Sequence, residues 1–313
     1  MRGETARDRT RSAAARQAAR KGGAPIDFLQ PRSWAEALEV KAARPEALPI
    51  AGGTDVMVDL NFDRARPAAI LDLGRVRELE GFERGDGWLR LGARLTYTEV
   101  TEQLGEVLPG LATASRTVGS PQIRNRGTIG GNLGSASPAG DAHPPLLAAD
   151  AEVEVASVRG SRRLPIAEFF TGPKRSALGP DELIAAVHLP AATGPQQFAK
   201  VGTRNAMVIA VCSFALSLDP ERGRVGTGIG SAGPTPLAAS AAERFLEGVL
   251  EAEGLWGTRG PVGEAAGARF GELVAAAARP IDDVRGTAAY RRHGLAVLAR
   301  RALAWAWDQY RRG

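Results

Sequence analysis

One cysteine in 313 residues, Cys212, removes several classes of chemistry at once. A lone thiol cannot close a disulfide framework, supply the ligands of an iron–sulfur cluster, or build a cysteine-based zinc site. Histidine is almost as scarce. His143, His188 and His293 stand singly, without the spacing of a metal-ligand set. Long apolar runs are missing too: none approaches the roughly 18 residues that cross a bilayer. The start of the chain also lacks the apolar core of a secretory signal. Redox chemistry in such a chain rests on an organic cofactor or on another polypeptide, and a cytoplasmic protein is the default expectation.

Excess positive charge is confined to one place. The formal net charge of +5 suggests a nucleic-acid binder until it is located. Residues 1–21 hold seven basic side chains (Arg2, Arg7, Arg9, Arg11, Arg16, Arg20 and Lys21) against Glu4 and Asp8. Removing them from the 40 basic and 35 acidic residues leaves 33 of each, a neutral remainder. The charge therefore belongs to a tail poor in large apolar residues, not to a domain surface offered to DNA. Residues 1–24 are expected to form a disordered basic extension. Trp305 and Trp307 among Arg300, Arg301, Arg311 and Arg312 could suggest a basic aromatic face. Helical spacing puts Trp305 on an apolar stripe instead, so core packing is the expectation.

What remains reads as an α+β chain in two parts. Ser33 followed by Glu36 is a capping box opening a helix over 33–44. Leu48 to Ala51 reads as a strand, Gly52-Gly53 as a turn, and Val56 to Leu60 as a short helix or strand. Strands are predicted at 68–73, 88–93, 151–158 and 183–189, the third on strict alternation. Thr96 to Leu111 is predicted as one helix with Thr98 near its cap. Gly, Pro and Gln near 191–197 mark a break. Beyond it come strands at 198–201, 210–218 and 225–229, then helices from about Pro236 to Leu250 and from about Thr287 to Tyr310. The last carries Leu295, Leu298, Ala302 and Trp305 at helical spacing. The division expected is 25–195 and 196–313.

Three glycine-rich segments compete as a nucleotide site. Gly228-Ile-Gly-Ser-Ala-Gly233 is a literal G-x-G-x-x-G after a strand. Pro234 and Pro236 follow at once, however, so no helix N-terminus opens directly from it, and it reads as a turn. Ile50-Ala-Gly-Gly-Thr-Asp55 lets backbone approach a ligand closely, and successive N–H groups in such a turn can form an anion nest. Gly127-Thr-Ile-Gly-Gly-Asn132 is similar. The small polar stretch after it ends in Asp141, which suits the hydroxyls of a ribose or ribityl chain. Either segment alone could be an ordinary turn; the pair, about 75 residues apart, is more specific.

Together these segments resemble the FAD-binding subunits of the molybdenum hydroxylases, of xanthine dehydrogenase and carbon monoxide dehydrogenase type. Gln122-Ile-Arg-Asn125, Ser137-Pro-Ala-Gly-Asp141, Phe198-Ala-Lys-Val with Arg204, Ser231-Ala-Gly-Pro-Thr-Pro-Leu237 and Asp283 to Arg292 extend the likeness over residues 26 to about 305. The resemblance implies a two-part FAD-binding domain of the vanillyl-alcohol-oxidase type, then a small domain with a three-stranded antiparallel sheet and helices. It implies that Ile50, Ala51, Gly52, Gly53, Thr54, Asp55 and Val56 surround the FAD pyrophosphate together with Thr128, Ile129, Gly130, Gly131 and Asn132. It further implies that Asp141 accepts from cofactor hydroxyls, that Ile184 packs near the adenine or the ring system, and that Lys200 stands close to the flavin. Val118 lies where some relatives carry an aromatic residue near the isoalloxazine, so aromatic stacking is in doubt.

The same resemblance implies a division of labour. A large molybdopterin subunit transforms the substrate, a small subunit carries two [2Fe–2S] clusters, and this chain passes electrons from FAD to NAD, a quinone or oxygen. A dimer of heterotrimers is implied, with no nucleic acid as partner. Some relatives add a four-iron cluster on a cysteine-rich insert, which Cys212 alone cannot hold. Two alternatives stay open: a free-standing flavin oxidoreductase with its own substrate, and a partner protein that kept the fold without the cofactor.

Overall fold

The structure, a computed structural model, describes residues 26–313. The basic extension expected over 1–24 lies outside the described residues. In chain order the first part runs β1 (Asp27–Leu29), α1 (Trp34–Ala43), β2 (Leu48–Ile50), α2 (Val56–Asn61) and β3 (Ala69–Asp72). Both β1 and β2 pair in parallel with β3, in the order β1-β3-β2. β3 is central and loses nearly all exposure, as its unbroken Ala-Ile-Leu run demands. Ser33 caps α1 by accepting from the Glu36 N–H, but the Glu36 carboxylate takes the Arg32 N–H at 2.7 Å. The reciprocal bond expected of a capping box thus reaches one residue further back.

The second part is an antiparallel five-stranded sheet. β4 (Phe82–Arg84) and β5 (Trp88–Gly92) form its first hairpin. Then come α3 (Tyr97–Gln103), α4 (Pro109–Arg116), α5 (Pro121–Arg124), α6 (Ile129–Ser135) and α7 (His143–Ala148). β6 (Glu152–Ser157) and β7 (Gly160–Pro165) precede the short α8 (Ile166–Phe169) and the hairpin of β8 (Phe170–Gly172) and β9 (Arg175–Ser176). β10 (Leu183–Pro190) completes the sheet at its centre, in the order β4-β5-β10-β6-β7. Val153 and Val155 point inward from β6, as the alternation predicts. The single helix expected over Thr96 to Leu111 is two. Thr96, not Thr98, is the cap, with a full capping box to Glu99, and α3 ends at Gln103. Gly105 and Pro109 lie where the pattern would have continued. Proline has no N–H and its ring clashes with the preceding turn, so Pro109 starts a new helix.

The third part has its own core. β11 (Gln196–Val201), β12 (Cys212–Asp219) and β13 (Arg224–Gly230) form an antiparallel sheet in that order. It is covered by α9 (Ser240–Ala252), α10 (Leu255–Thr258), α11 (Glu264–Ala277) and α12 (Ala288–Arg312). The helix predicted from about Pro236 begins at Ser240, because Leu237 still exchanges backbone bonds with Ile229. On α12, Leu295, Leu298, Ala299, Ala302, Leu303 and Ala306 are buried, but Trp305 is 49% exposed. It sits at the edge of the stripe rather than in it. Trp307 is the buried indole, donating to the Gly260 carbonyl at 2.7 Å.

Close backbone contact seats this sheet against α4 and α7. A Cβ on Gly226 would lie 2.0 Å from the Ala148 carbonyl oxygen, and one on Gly228 2.0 Å from that of Pro144. Ala114, Ala148, Phe198 and Ala215 pack across the junction. The G-x-G-x-x-G sequence is therefore the end of a strand pressed on a helix, followed by a turn. Its glycines serve packing.

Candidate functional site

The two glycine segments meet. β2 ends at Ile50 and the chain turns through Gly53, whose φ of +78° belongs to the left-handed region that glycine adopts without strain. Gly52 lies so close to the second segment that a Cβ there would be 1.9 Å from the Arg126 carbonyl oxygen and 3.1 Å from Gly127 Cα. At the other end of this seam, the Ser135 hydroxyl donates to Asp55 Oδ2 at 2.6 Å. Sequence reasoning passed over Ser135, whose only signal was the small polar stretch in which it falls.

The second segment is not the loop its composition suggests. Thr128 is the N-cap of α6, and its hydroxyl accepts from the Gly131 N–H at 3.0 Å. Ile129 and Gly130 donate backbone N–H groups to the carbonyls of Leu95 and Ala93, and Asn132 donates to that of Thr128. Gly130 is a packing glycine, since a Cβ would fall 2.6 Å from the Ala93 carbonyl oxygen. The physical reason is the cap itself: a threonine in extended conformation turns the following glycines into a first helical turn. By contrast, the N–H groups of Gly52, Gly53, Thr54, Asp55 and Val56 donate to no acceptor among the described residues. Five adjacent unspent donors are what a polyanion requires of neutral backbone.

Asp141 and Lys200 come together from different parts of the chain. Their side chains, 11% and 9% exposed, form an ion pair at 2.6 Å. The Lys200 ammonium also donates to the carbonyls of Thr117 at 3.0 Å and Val208 at 3.3 Å. Burial raises the Asp141 carboxyl above the usual carboxylate range, and Lys200 opposes that shift. Val118 follows Thr117 directly and packs at the edge of the first core, so it stands beside this pair. Ile184 lies on β10 under α6, its Cδ1 3.8 Å from where a Gly134 Cβ would be.

Of the six buried side-chain polar atoms without a partner among the described residues, four belong to these segments or to residues touching them, and Trp256 Nε1 and Arg291 Nε do not. Tyr97 Oη, Asn132 Oδ1, His143 Nδ1 and Ser231 Oγ are buried without a partner. Asn132 and His143 bound the segment after the second glycine motif, and Ser231 donates its N–H to Pro138 within it. His143 Nε2 meets the Asn132 carbonyl at 3.1 Å. Burial depresses this imidazole to about 4, so it is neutral. Buried polar groups are paired in most proteins, so a cluster of exceptions suits a site that a polar ligand completes. Tyr97 was not foreseen either, because nothing in its local pattern separates it from a core aromatic.

A sizeable cavity lies elsewhere. About 930 Å³ opens on the outer face of the five-stranded sheet, beside Trp88, Arg90, Glu154 and His188. None of the expected site residues lines it. Among the described residues no cluster of His, Cys, Asp and Glu could hold a metal ion, and no helix is long and apolar enough to cross a membrane. Cys212 is buried against Gly294, and burial pushes its thiol up to about 11.

Comparison with known proteins agrees with this arrangement. Residues 24–192 match the family described as the FAD binding domain in molybdopterin dehydrogenase. Residues 197–306 match the CO dehydrogenase flavoprotein C-terminal domain. The xanthine dehydrogenase FAD-binding subunit of Escherichia coli O157:H7 is 34% identical over 68% of this chain and 76% of its own length. The nicotine 6-hydroxylase medium subunit of Paenarthrobacter nicotinovorans is 31% identical, over 86% and 93%. A chain of carbon monoxide dehydrogenase from Hydrogenophaga pseudoflava superposes with a TM-score of 0.82 at 26% identity, covering 91% of this chain and 98% of that one. The chain belongs to the FAD-binding subunits of the molybdopterin dehydrogenase family, oxidoreductase components that carry a flavin.

Proposed function

We propose that FAD lies along the seam between Ile50–Val56 and Thr128–Asn132, and that the chain relays electrons from [2Fe–2S] clusters of a small subunit to an external acceptor. The observation that carries this is the row of unspent N–H donors from Gly52 to Val56, pressed against the start of α6. The first segment binds the pyrophosphate through these donors. The second is chiefly a scaffold, contributing the Thr128 hydroxyl and the Asn132 side chain. FAD held there would collect electrons one at a time from such one-electron clusters and could pass them on singly or as a pair.

Asp141 and Lys200 form the polar end of the site. Lys200 brings positive charge to the flavin side, favouring an anionic reduced form. Asp141 holds that ammonium in place and offers its free oxygen to a cofactor hydroxyl. Val118 and Ile184 supply apolar contact without aromatic stacking. Relatives named as a FAD-binding subunit and a medium subunit support a multi-subunit assembly; the partners in this reading are a large molybdopterin subunit and a small iron–sulfur subunit, in a dimer of heterotrimers in the cytoplasm. The domain boundary is placed at 195/196, between the two matched families.

The test is direct. The chain, expressed with its neighbouring genes and purified, should show a flavin absorption spectrum and release one FAD per chain on heating. It should co-purify with one small cysteine-rich chain and one large chain. A folded, colourless preparation would sink the flavin assignment. Substrate turnover by the isolated chain would replace the relay role with that of a free-standing oxidoreductase.

A further inference from the structure

We propose that the Tyr97 hydroxyl is a binding group for the cofactor, donating its proton to a pyrophosphate oxygen at the seam between the two glycine segments. The proposal rests on the reading of that seam as the FAD site. Tyr97 is the first residue of α3, directly after the Thr96 cap. Its backbone N–H donates to the Gly127 carbonyl at 3.1 Å. Its ring covers the same residue, since a Cβ on Gly127 would be 3.1 Å from Tyr97 Cδ2. Gly52 touches Gly127 from the other segment. The phenol is thus tied to the point where the two segments meet.

Tyr97 is 3% exposed, and its hydroxyl has no hydrogen-bond partner. A position that needed only a buried ring would be filled by phenylalanine, without the cost of an unpaired donor. The nearby carboxylates bond other groups and not this hydroxyl: Asp55 takes the Ser135 hydroxyl and Asp141 the Lys200 ammonium, each at 2.6 Å. Burial, and then the charges of Asp141 and Asp55, hold the phenol well above the ordinary tyrosine range. It therefore stays protonated and remains a donor wherever the protein is folded. The bound nucleotide is the one group expected there that brings acceptor oxygens.

The test uses the full chain stripped of flavin. FAD is titrated into the wild type and Tyr97→Phe, followed by quenching of flavin fluorescence, and both flavin-free proteins are melted. Tyr97→Phe should weaken FAD binding about tenfold, the value of one hydrogen bond to a phosphate-like acceptor. The flavin-free variant should melt no lower than the wild type, because the ring stays and an unpaired buried donor is removed. The infrared difference spectrum of wild type on FAD addition should also show one of the chain's three tyrosines gaining a hydrogen bond, a signal that does not depend on how the variant folds. Equal affinity in both proteins, or no tyrosine signal on binding, overturns the proposal and leaves the FAD site standing. A wild type that takes up no FAD overturns both together.

Discussion

Two segments that look alike in sequence, Ile50-Ala-Gly-Gly-Thr-Asp55 and Gly127-Thr-Ile-Gly-Gly-Asn132, do opposite things with their backbone. The first follows a strand, turns through a left-handed glycine, and leaves five N–H groups unspent. In the second, the N–H groups of Ile129, Gly130, Gly131 and Asn132 are all consumed, by Leu95, Ala93, the Thr128 hydroxyl and the Thr128 carbonyl. A glycine pair beside a threonine therefore does not by itself make an anion site. What decides is whether the flanking chain takes up the donors first. On the proposed reading the second segment is the wall against which the first is held.

That contrast can be broken most severely at Gly52. Gly52→Val places side-chain atoms where the Arg126 carbonyl already stands, and backbone cannot yield cheaply. FAD retention by the purified chain should fall more than about 100-fold, near 3 kcal/mol. Unchanged flavin content would show that the segments need not touch.

Acid attacks the wall instead. His143, bonded to the Asn132 carbonyl, has its folded value lowered from 6.5 to about 4. Between those values the unfolded chain binds the proton and the folded chain does not, so stability falls as pH drops from 6.5 towards 4. The loss should reach up to about 3 kcal/mol. His143→Gln should flatten that part of a stability–pH curve from denaturant titrations. If the slope survives in the variant, the histidine is not its source.

Gly130→Ala sharpens the comparison from the packing side. The new methyl meets Ala93, so the fold should lose about 1–3 kcal/mol. Affinity for FAD should hardly change once both proteins are folded. Thr128→Ala should cost about 1 kcal/mol through loss of the cap, read as a lower denaturation midpoint. Smallest of all is Gly131→Ala. A Cβ there meets only the Thr128 hydroxyl at 2.9 Å, and the melting point should stay within about 0.5 kcal/mol of wild type. A large drop would mean that this glycine, too, is built into the wall.

Much of this was legible beforehand because it depends on local pattern. The alternation of β6 identified one strand and the unbroken apolar run of β3 another. Misreadings arose where a local breaker was passed over or where distant residues decide. Thr96 to Leu111 has continuous helical periodicity, yet Gly105 and Pro109 divide it. Trp305 and Trp307 differ by two positions on α12, and only the Gly260 carbonyl, held by another turn, chose which indole is buried. G-x-G-x-x-G could be set aside from its prolines, but its purpose needed α7 beside it.

By itself the sequence determined the residues available for redox chemistry: one thiol, three scattered histidines, and two glycine motifs about 75 residues apart. Those follow from residue identity and spacing, which the chain carries whatever its shape. Only the tertiary structure decided which motif keeps its donors free, that Asp141 reaches Lys200 across 59 positions, and that Tyr97 is left with an unmatched proton. Hydrogen-bond saturation is a property of neighbours in space, and those neighbours are far apart along the chain.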